Sequence, residues 1–209
     1  PNRFAKSLRT KESNTIGIMV EDITAFQTPR IINGINNYVE KQGYAVILNN
    51  MSLLEKTGNH YSELSSYQSA ISKSIKLFNK TQIDGLVYVA MHDRDVMELI
   101  PKLSIPIVLV YCYDTSKNNY YVTYDNVDVI VDVAECLMKR GNEKIGVIKG
   151  AEDSLPSQKR LKSFITQLKK EGKELKEEYI FPGAWEFDDG VKARSEEHTS
   201  ELQSLFAIS

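Results

Sequence analysis

The chain has 209 residues, enough for a sizeable hydrophobic core and one or two domains. Its 26 basic and 28 acidic side chains leave a net charge of −2, which exerts no bulk pull toward nucleic acid or membrane, so any such contact must be local. No run approaches the ~18 apolar residues of a membrane span and no basic-then-apolar leader opens the sequence; Cys112 and Cys136 lack the spacing of a zinc site or disulfide scaffold, and a cytoplasmic setting is expected.

The first eleven residues carry Arg3, Lys6, Arg9 and Lys11 and no acid, a local charge of +4. Read alone, the stretch is either a solvated basic tail or a two-turn helix with Phe4, Ala5 and Leu8 on one side, too short to be stable by itself. From residue 15 onward, apolar strand-like runs alternate with helix-length segments. IGIMV (16–20) is a continuous β-branched run of the kind buried on both faces. Ile31, Ile32, Ile35, Tyr38 and Val39 then recur at helical spacing up to Gly43. AVILNN (45–50) is the second strand, residues 67–80 a helix, GLVYVA (85–90) the third strand and residues 96–103 a short helix. IPIVLVY (105–111) and YVTYD (121–125) follow as strands, with helices at 127–140 and 157–171 on either side of the strand IGVIKG (145–150), and a last short strand at 179–181. Strand and helix in strict alternation predict an α/β fold of parallel sheets flanked by helices, with right-handed crossovers. Ligands of such sheets bind outside the carboxyl ends of the strands, which directs attention to the loops at 21–30, 90–95, 111–119, 125–126 and 151–158.

None of the common catalytic signatures is present: there is no GxGxxG after the first strand, no GxxxxGK[ST], no GxSxG and no HExxH. His60, His92 and His198 are scattered, so no histidine base, metal site or cofactor is indicated. Glu21 and Asp22 form an acidic pair at a strand end; one carboxylate is suited to accept ligand hydroxyls, or the pair complements a helix N-terminus. No catalytic residue is assigned. At the far end, RSEEHTSELQS (194–204) resembles the in-frame translation of a sequencing adapter, and residues 194–209 are expected to be an artefactual tail.

In order along the chain, PNRFAKSLRTKESNTIGIMV, DITAF, GYAVILNN, IDGLVYVA, IPIVLV, YDN, KRGNEKIGVIKG and RLKSF resemble the LacI/GalR family of bacterial transcription regulators. The resemblance runs over residues 1–193, and the basic PNxxAxxL lead-in is what distinguishes regulators from transport binding proteins. It implies a periplasmic-binding-protein-like architecture of two subdomains, with a hinge helix at 1–11, a first effector-binding subdomain at 12–125, and the start of a second at 126–193. The helix-turn-helix and the later part of the second subdomain are expected to lie outside this sequence. The implied function is that of a homodimeric, operator-binding regulator, a repressor, controlled by a sugar-like effector held between the subdomains; the alternative is a sugar-binding transport component.

The same resemblance assigns roles to individual residues. Leu8 is the wedge between base steps, with Ala5 beside it, Arg9 near the minor groove, and Arg3 and Lys6 on phosphates. Arg160 corresponds to an arginine that clamps the effector, or is a surface residue of a lysine-rich helix; Trp185 is the aromatic that stacks on the effector ring, or a core tryptophan. Thr24 and Phe26 occupy the first ligand loop, where TAFQT replaces the family's Asn-Pro and paired aromatics. Tyr111 stands where the family often has an aspartate, and Asp114 is the substitute acceptor. Asp125 and Asn126 sit at the first crossing between subdomains, for packing or ligand contact.

Overall fold

β1 (Thr15–Val20) is the strand around which the first half of the molecule is assembled. Ile18, Met19 and Val20 are fully buried, which requires cover on both faces of the sheet. One face receives α1 (Thr28–Lys41), whose Ile31, Ile32 and Ile35 pack against Ile18, Val20 and Val89. The helix starts with Pro29 in its first turn and is followed by Gly43 at φ +81°, the left-handed conformation glycine takes at a helix end. The chain returns as β2 (Ala45–Asn50), passes through α2 (Leu53–Thr57), and covers the opposite face with α3 (Leu64–Thr81), whose Tyr67, Ile71 and Phe78 join Met19 in the main core. β3 (Gly85–Val89), β4 (Ile107–Val110) and β5 (Tyr120–Val122) complete a five-stranded, fully parallel sheet of order β2-β1-β3-β4-β5.

The computed structural model describes residues 13–58, 64–116, 118–195, 202 and 204–208, and the chain divides into two compact units after Thr123. Arg3, Ala5, Lys6, Leu8 and Arg9, the expected DNA contacts, lie outside the described residues, as do His60 and His198. In the second unit α4 (Asp128–Lys139), β6 (Ile145–Ile148), α5 (Leu155–Lys170), a 3-10 turn (Glu177–Tyr179), β7 (Ile180–Phe181), α6 (Phe187–Ser195) and β8 (Ser204–Ala207) follow in order. The sheet here is parallel, of order β7-β6-β8. Ile130 and Ala134 of α4 and Phe164 and Leu168 of α5 pack with Ile145, Val147 and Ile208. α5 is opened by Ser154, whose hydroxyl accepts from the Ser157 amide at 3.2 Å, with Pro156 in the first turn.

The α/β class, the parallel pairing and the two units agree with the sequence reading. One predicted element is corrected: residues 96–103 form turns, not a helix. The Leu99 and Ile100 amides both bond to the Val96 carbonyl, a single helical turn, and Pro101 then has no N–H to continue it and disfavours the helical conformation at Ile100. β5 is also shorter and starts one residue earlier than expected. α2, α6 and β8 are elements without a periodic signal long enough to read. β8 lies within residues 194–209; its apolar SLFA run pairs with β6, and Phe206 stacks on Phe164 with ring centroids 6.2 Å apart.

Gly17 marks a close approach of β1 to α3 and to Ile83 beyond it. A Cβ there would stand 2.7 Å from Ile83 Cδ1 and 2.9 Å from Phe78 Cε1. Gly17→Ala is therefore expected to cost about 1–3 kcal/mol through overpacking, measured as a lowered urea midpoint; an unchanged midpoint would show that the Phe78 ring yields freely.

Candidate functional site

Parallel sheets leave their loops of chemical interest at the carboxyl ends of the strands, with a crevice where the strand order reverses. In the first unit that reversal lies at β1 and β3, whose partners diverge to β2 on one side and β4 on the other. The side chains gathered there are polar and yet buried: Glu21, Asp22, His92, Asp93, Arg94 and Asp114 are each no more than 5% exposed. Burying that many charged groups is unfavourable unless each finds partners, so the bonds they make define the site.

Glu21 is completely buried. Its carboxylate accepts from the Tyr88 hydroxyl, from the Met91 amide at 2.8 Å and from Arg94 Nη2 at 2.5 Å. The Arg94 guanidinium lies over the Tyr67 ring, 4.1 Å from its centroid. Burial opposes the charge of Arg94 most strongly, but the adjacent Glu21 carboxylate together with Tyr88, Tyr67 and Cys112 outweighs it and raises its pKa. Burial, then the same carboxylate, pushes the Tyr88 hydroxyl and the Cys112 thiol well above their ordinary values. Asp22 holds its own loop, accepting from the Thr24 amide at 2.9 Å, the Thr24 hydroxyl at 2.6 Å and, with its other oxygen, the Leu54 amide at 3.0 Å. Asp93 accepts from the Thr123 hydroxyl at 2.7 Å.

The six candidate ligand residues are split evenly between the units. In the first, Thr24 is tied to Asp22, Phe26 projects from the loop at 91% exposure, and Asp114 is turned inward. Asp114 accepts from the Ser116 amide at 2.8 Å, from the Ser116 hydroxyl, and from Asn119 Nδ2 at 2.7 Å, so its oxygens are occupied by its own loop. In the second unit Asp125 is exposed and accepts from the amides of Val127 and Asp128, both at 2.9 Å, which ties it to the turn that leads into α4. Arg160 projects from α5; its Nε donates to Asn126 Oδ1 at 2.8 Å and its Nη1 to the Ile208 carbonyl at 3.4 Å, and among the described residues no carboxylate pairs with it. The structure thus joins Arg160 with Asn126, the residue next to Asp125.

Trp185, the one tryptophan, follows β7 and is 39% exposed. Its φ of +67° places a bulky residue in the left-handed region, as does the φ of +59° at Tyr111, which follows β4. Backbone of this kind costs on the order of 1–3 kcal/mol and concentrates at ligand-holding segments. Both lie at the carboxyl ends of their own sheets. The Trp185 ring reaches to Gly150, where a Cβ would stand 2.8 Å from Cζ2.

Sequence reading passed over Arg94, Tyr88 and Asp93. The available signal was HDRD directly after an apolar strand, inside a loop already marked for ligands.

Two measurements test this geometry. Gly150→Ala is expected to displace the indole and shift the emission maximum by several nanometres, because tryptophan fluorescence has a single source in this chain; an unaltered spectrum would mean that Ser157 gives way instead. For Asp114, burial alone would raise the carboxyl, but the bonds from Ser116 and Asn119 outweigh it and hold the pKa below the ordinary 3.8. The Asp128 and Val127 amides lower Asp125 likewise. Because the folded values are depressed, the stability from these bonds is present above pH 3.8 and lost as pH falls through the lower folded values. Carboxyl titration by NMR should place both midpoints below 3.8, and a midpoint at or above it would contradict the geometry.

Comparison with known proteins places these residues in context. Residues 13–196 match the family model described as "Periplasmic binding proteins and sugar binding domain of LacI family". Catabolite control protein A of Priestia megaterium is 24% identical over 195 residues, covering 92% of this chain and 55% of that protein. The HTH-type transcriptional regulator RegA of Clostridium acetobutylicum is 30% identical over 145 residues, covering 68% of this chain and 40% of that protein. The chain spans about half the length of the curated relatives it matches. Among solved structures, the Escherichia coli transcriptional repressor ascG shares the fold with a TM-score of 0.72 at 18% identity, covering 92% of this chain and 67% of that one.

Proposed function

Since the chain belongs to the LacI family, whose sugar-binding domain it carries over residues 13–196, we propose that it is the effector-sensing part of a cytoplasmic, homodimeric repressor that binds operator DNA and responds to a sugar-like small molecule. The observation that carries this reading is the family match over nearly all of the described fold, joined by a relative named as a transcriptional regulator. The role is one of binding, without catalytic chemistry or a cofactor.

In this reading Arg160 supplies the guanidinium donors not taken by Asn126 and the Ile208 carbonyl to oxygens of the effector, a task for which its planar fork is suited. Trp185 lays its indole against the apolar face of a sugar ring, with its backbone already committed to the required turn. Phe26 offers a second apolar surface, and Thr24 and Asp114 shape the loops around it. Asp125 holds the start of α4 at the passage from the first unit to the second. Leu8 wedges between base steps, flanked by Ala5, with Arg3, Lys6 and Arg9 on the DNA backbone and minor groove. Effector and operator are coupled by the difference in effector affinity between two conformations, typically about 1–3 kcal/mol.

A sugar-binding transport component is the competing reading, favoured by the family model's inclusion of periplasmic binding proteins. Operator binding separates the two. Fluorescence anisotropy of the full gene product with DNA from its own promoter region, with and without a panel of sugars, should show sequence-specific binding that one class of sugar alters. Sugar binding without any DNA binding would establish the transport reading. Leu8→Ala is expected to weaken operator binding at least tenfold while leaving effector affinity unchanged; equal losses in both would remove the hinge assignment. Arg160→Ala should weaken effector binding at least tenfold, since a charge-assisted hydrogen bond contributes about 1.5–3 kcal/mol and ~1.4 kcal/mol is a factor of ten. An unchanged effector affinity would return Arg160 to the surface.

A further inference from the structure

Glu21 and Arg94 form the most deeply buried ion pair among the described residues, with side chains 0% and 7% exposed. They stand at the carboxyl ends of β1 and β3, where the strand order reverses. Each connects to more than the other. The Glu21 amide donates to the Val89 carbonyl at 3.0 Å, and its own carbonyl accepts from Leu53 in the segment after β2 at 2.9 Å. Its carboxylate takes the Tyr88 hydroxyl and the Met91 amide from β3 and the loop after it. The Arg94 carbonyl accepts from Tyr113, in the loop after β4, at 3.0 Å, and the Tyr113 carbonyl accepts from Val96 at 2.9 Å. The neighbouring Asp93 reaches Thr123 beyond β5. The segments that follow all five strands therefore meet at the side chains or backbone carbonyls of Glu21 and Arg94, or at the neighbouring Asp93.

The pair is poorly built as a source of stability. Arg94 Nε and Nη1 are buried and find no hydrogen-bond acceptor among the described residues, and buried ion pairs with unmet donors are commonly less stabilising than apolar side chains of the same volume. What such a pair does supply is direction, because a guanidinium and a carboxylate fix angles that methyl groups do not. We propose that Glu21 and Arg94 are positioning residues: they hold the loops at the ligand end of the first unit in one preformed arrangement, at a cost in stability. That these loops serve a ligand rests on the functional reading above; that the pair positions them does not.

The test is amide hydrogen exchange on the full chain without ligand, comparing wild type with Glu21→Met/Arg94→Met. The melting temperature of the double variant should equal or exceed that of wild type, while Arg94→Met alone, which strands a buried carboxylate, should melt lower than both. The amides of Met91, Val96 and Tyr113 should exchange at least tenfold faster in the double variant, with Met19 and Tyr88 within twofold of wild type. Unchanged exchange at Met91, Val96 and Tyr113 would overturn the proposal. Uniformly faster exchange through the sheet would also overturn it, because the pair would then stabilise the fold as a whole. Glu21→Gln/Arg94→Gln, which removes both charges but keeps a polar side chain capable of hydrogen bonding at each position, guards against misfolding of the methionine variant. It should restore part of the loop protection, and failure of both double variants to fold would likewise refute a positioning role. None of these outcomes depends on finding the effector or the operator.

Discussion

Covering β1 on both faces is the constraint from which the first unit follows. A strand reading IGIMV has no polar face to offer water, so helices must close over it from each side, and parallel neighbours with crossover helices supply that cover. α1 and α3 do so with different surfaces, three isoleucines on one side and a tyrosine, an isoleucine and a phenylalanine on the other. Once β1 is central and its neighbours are parallel, the loops after it and after β3 are forced into proximity. Glu21 is the first residue beyond β1, and its burial is a consequence of where the strand ends.

The second unit reaches a similar arrangement with less apolar material. Its sheet has three strands, and α4 and α5 meet it through Ile130, Ala134, Phe164 and Leu168. Its functional candidates are held by local devices instead of a buried charge pair. Asp125 bonds the turn that leads into α4, Asn126 orients Arg160, and a glycine leaves room for the indole of Trp185. One unit thus organises the carboxyl end of its sheet through a buried ion pair between residues distant in sequence, and the other through local hydrogen bonds and close packing.

How much of this was legible in the sequence depended on whether the signal was periodic. The strands at 16–20, 45–50 and 85–90 and the helices around 31–39 and 157–171 were readable because burial imposes a repeat on neighbouring residues. The run at 96–103 had helical spacing too, but one proline carries more weight than four apolar residues at the right intervals. Asp114 looked like an open acceptor because nothing in a sequence reveals that Ser116 and Asn119 will turn back to occupy it. The pairing of Arg94 was invisible for the opposite reason: its partner lies 73 residues away, and charge pairing over that span leaves no pattern to count.

The two cysteines illustrate how far burial separates identical side chains. Cys112 is fully buried at the end of β4, and burial followed by the nearby Glu21 charge keeps its thiol protonated well above its ordinary range, whereas Cys136 is exposed on α4. Since the thiolate is the reacting species, a maleimide or iodoacetamide reagent added to the native chain will modify Cys136 and spare Cys112. The second unit accordingly comes with a single attachment point for a fluorophore or spin label, obtained without changing a residue.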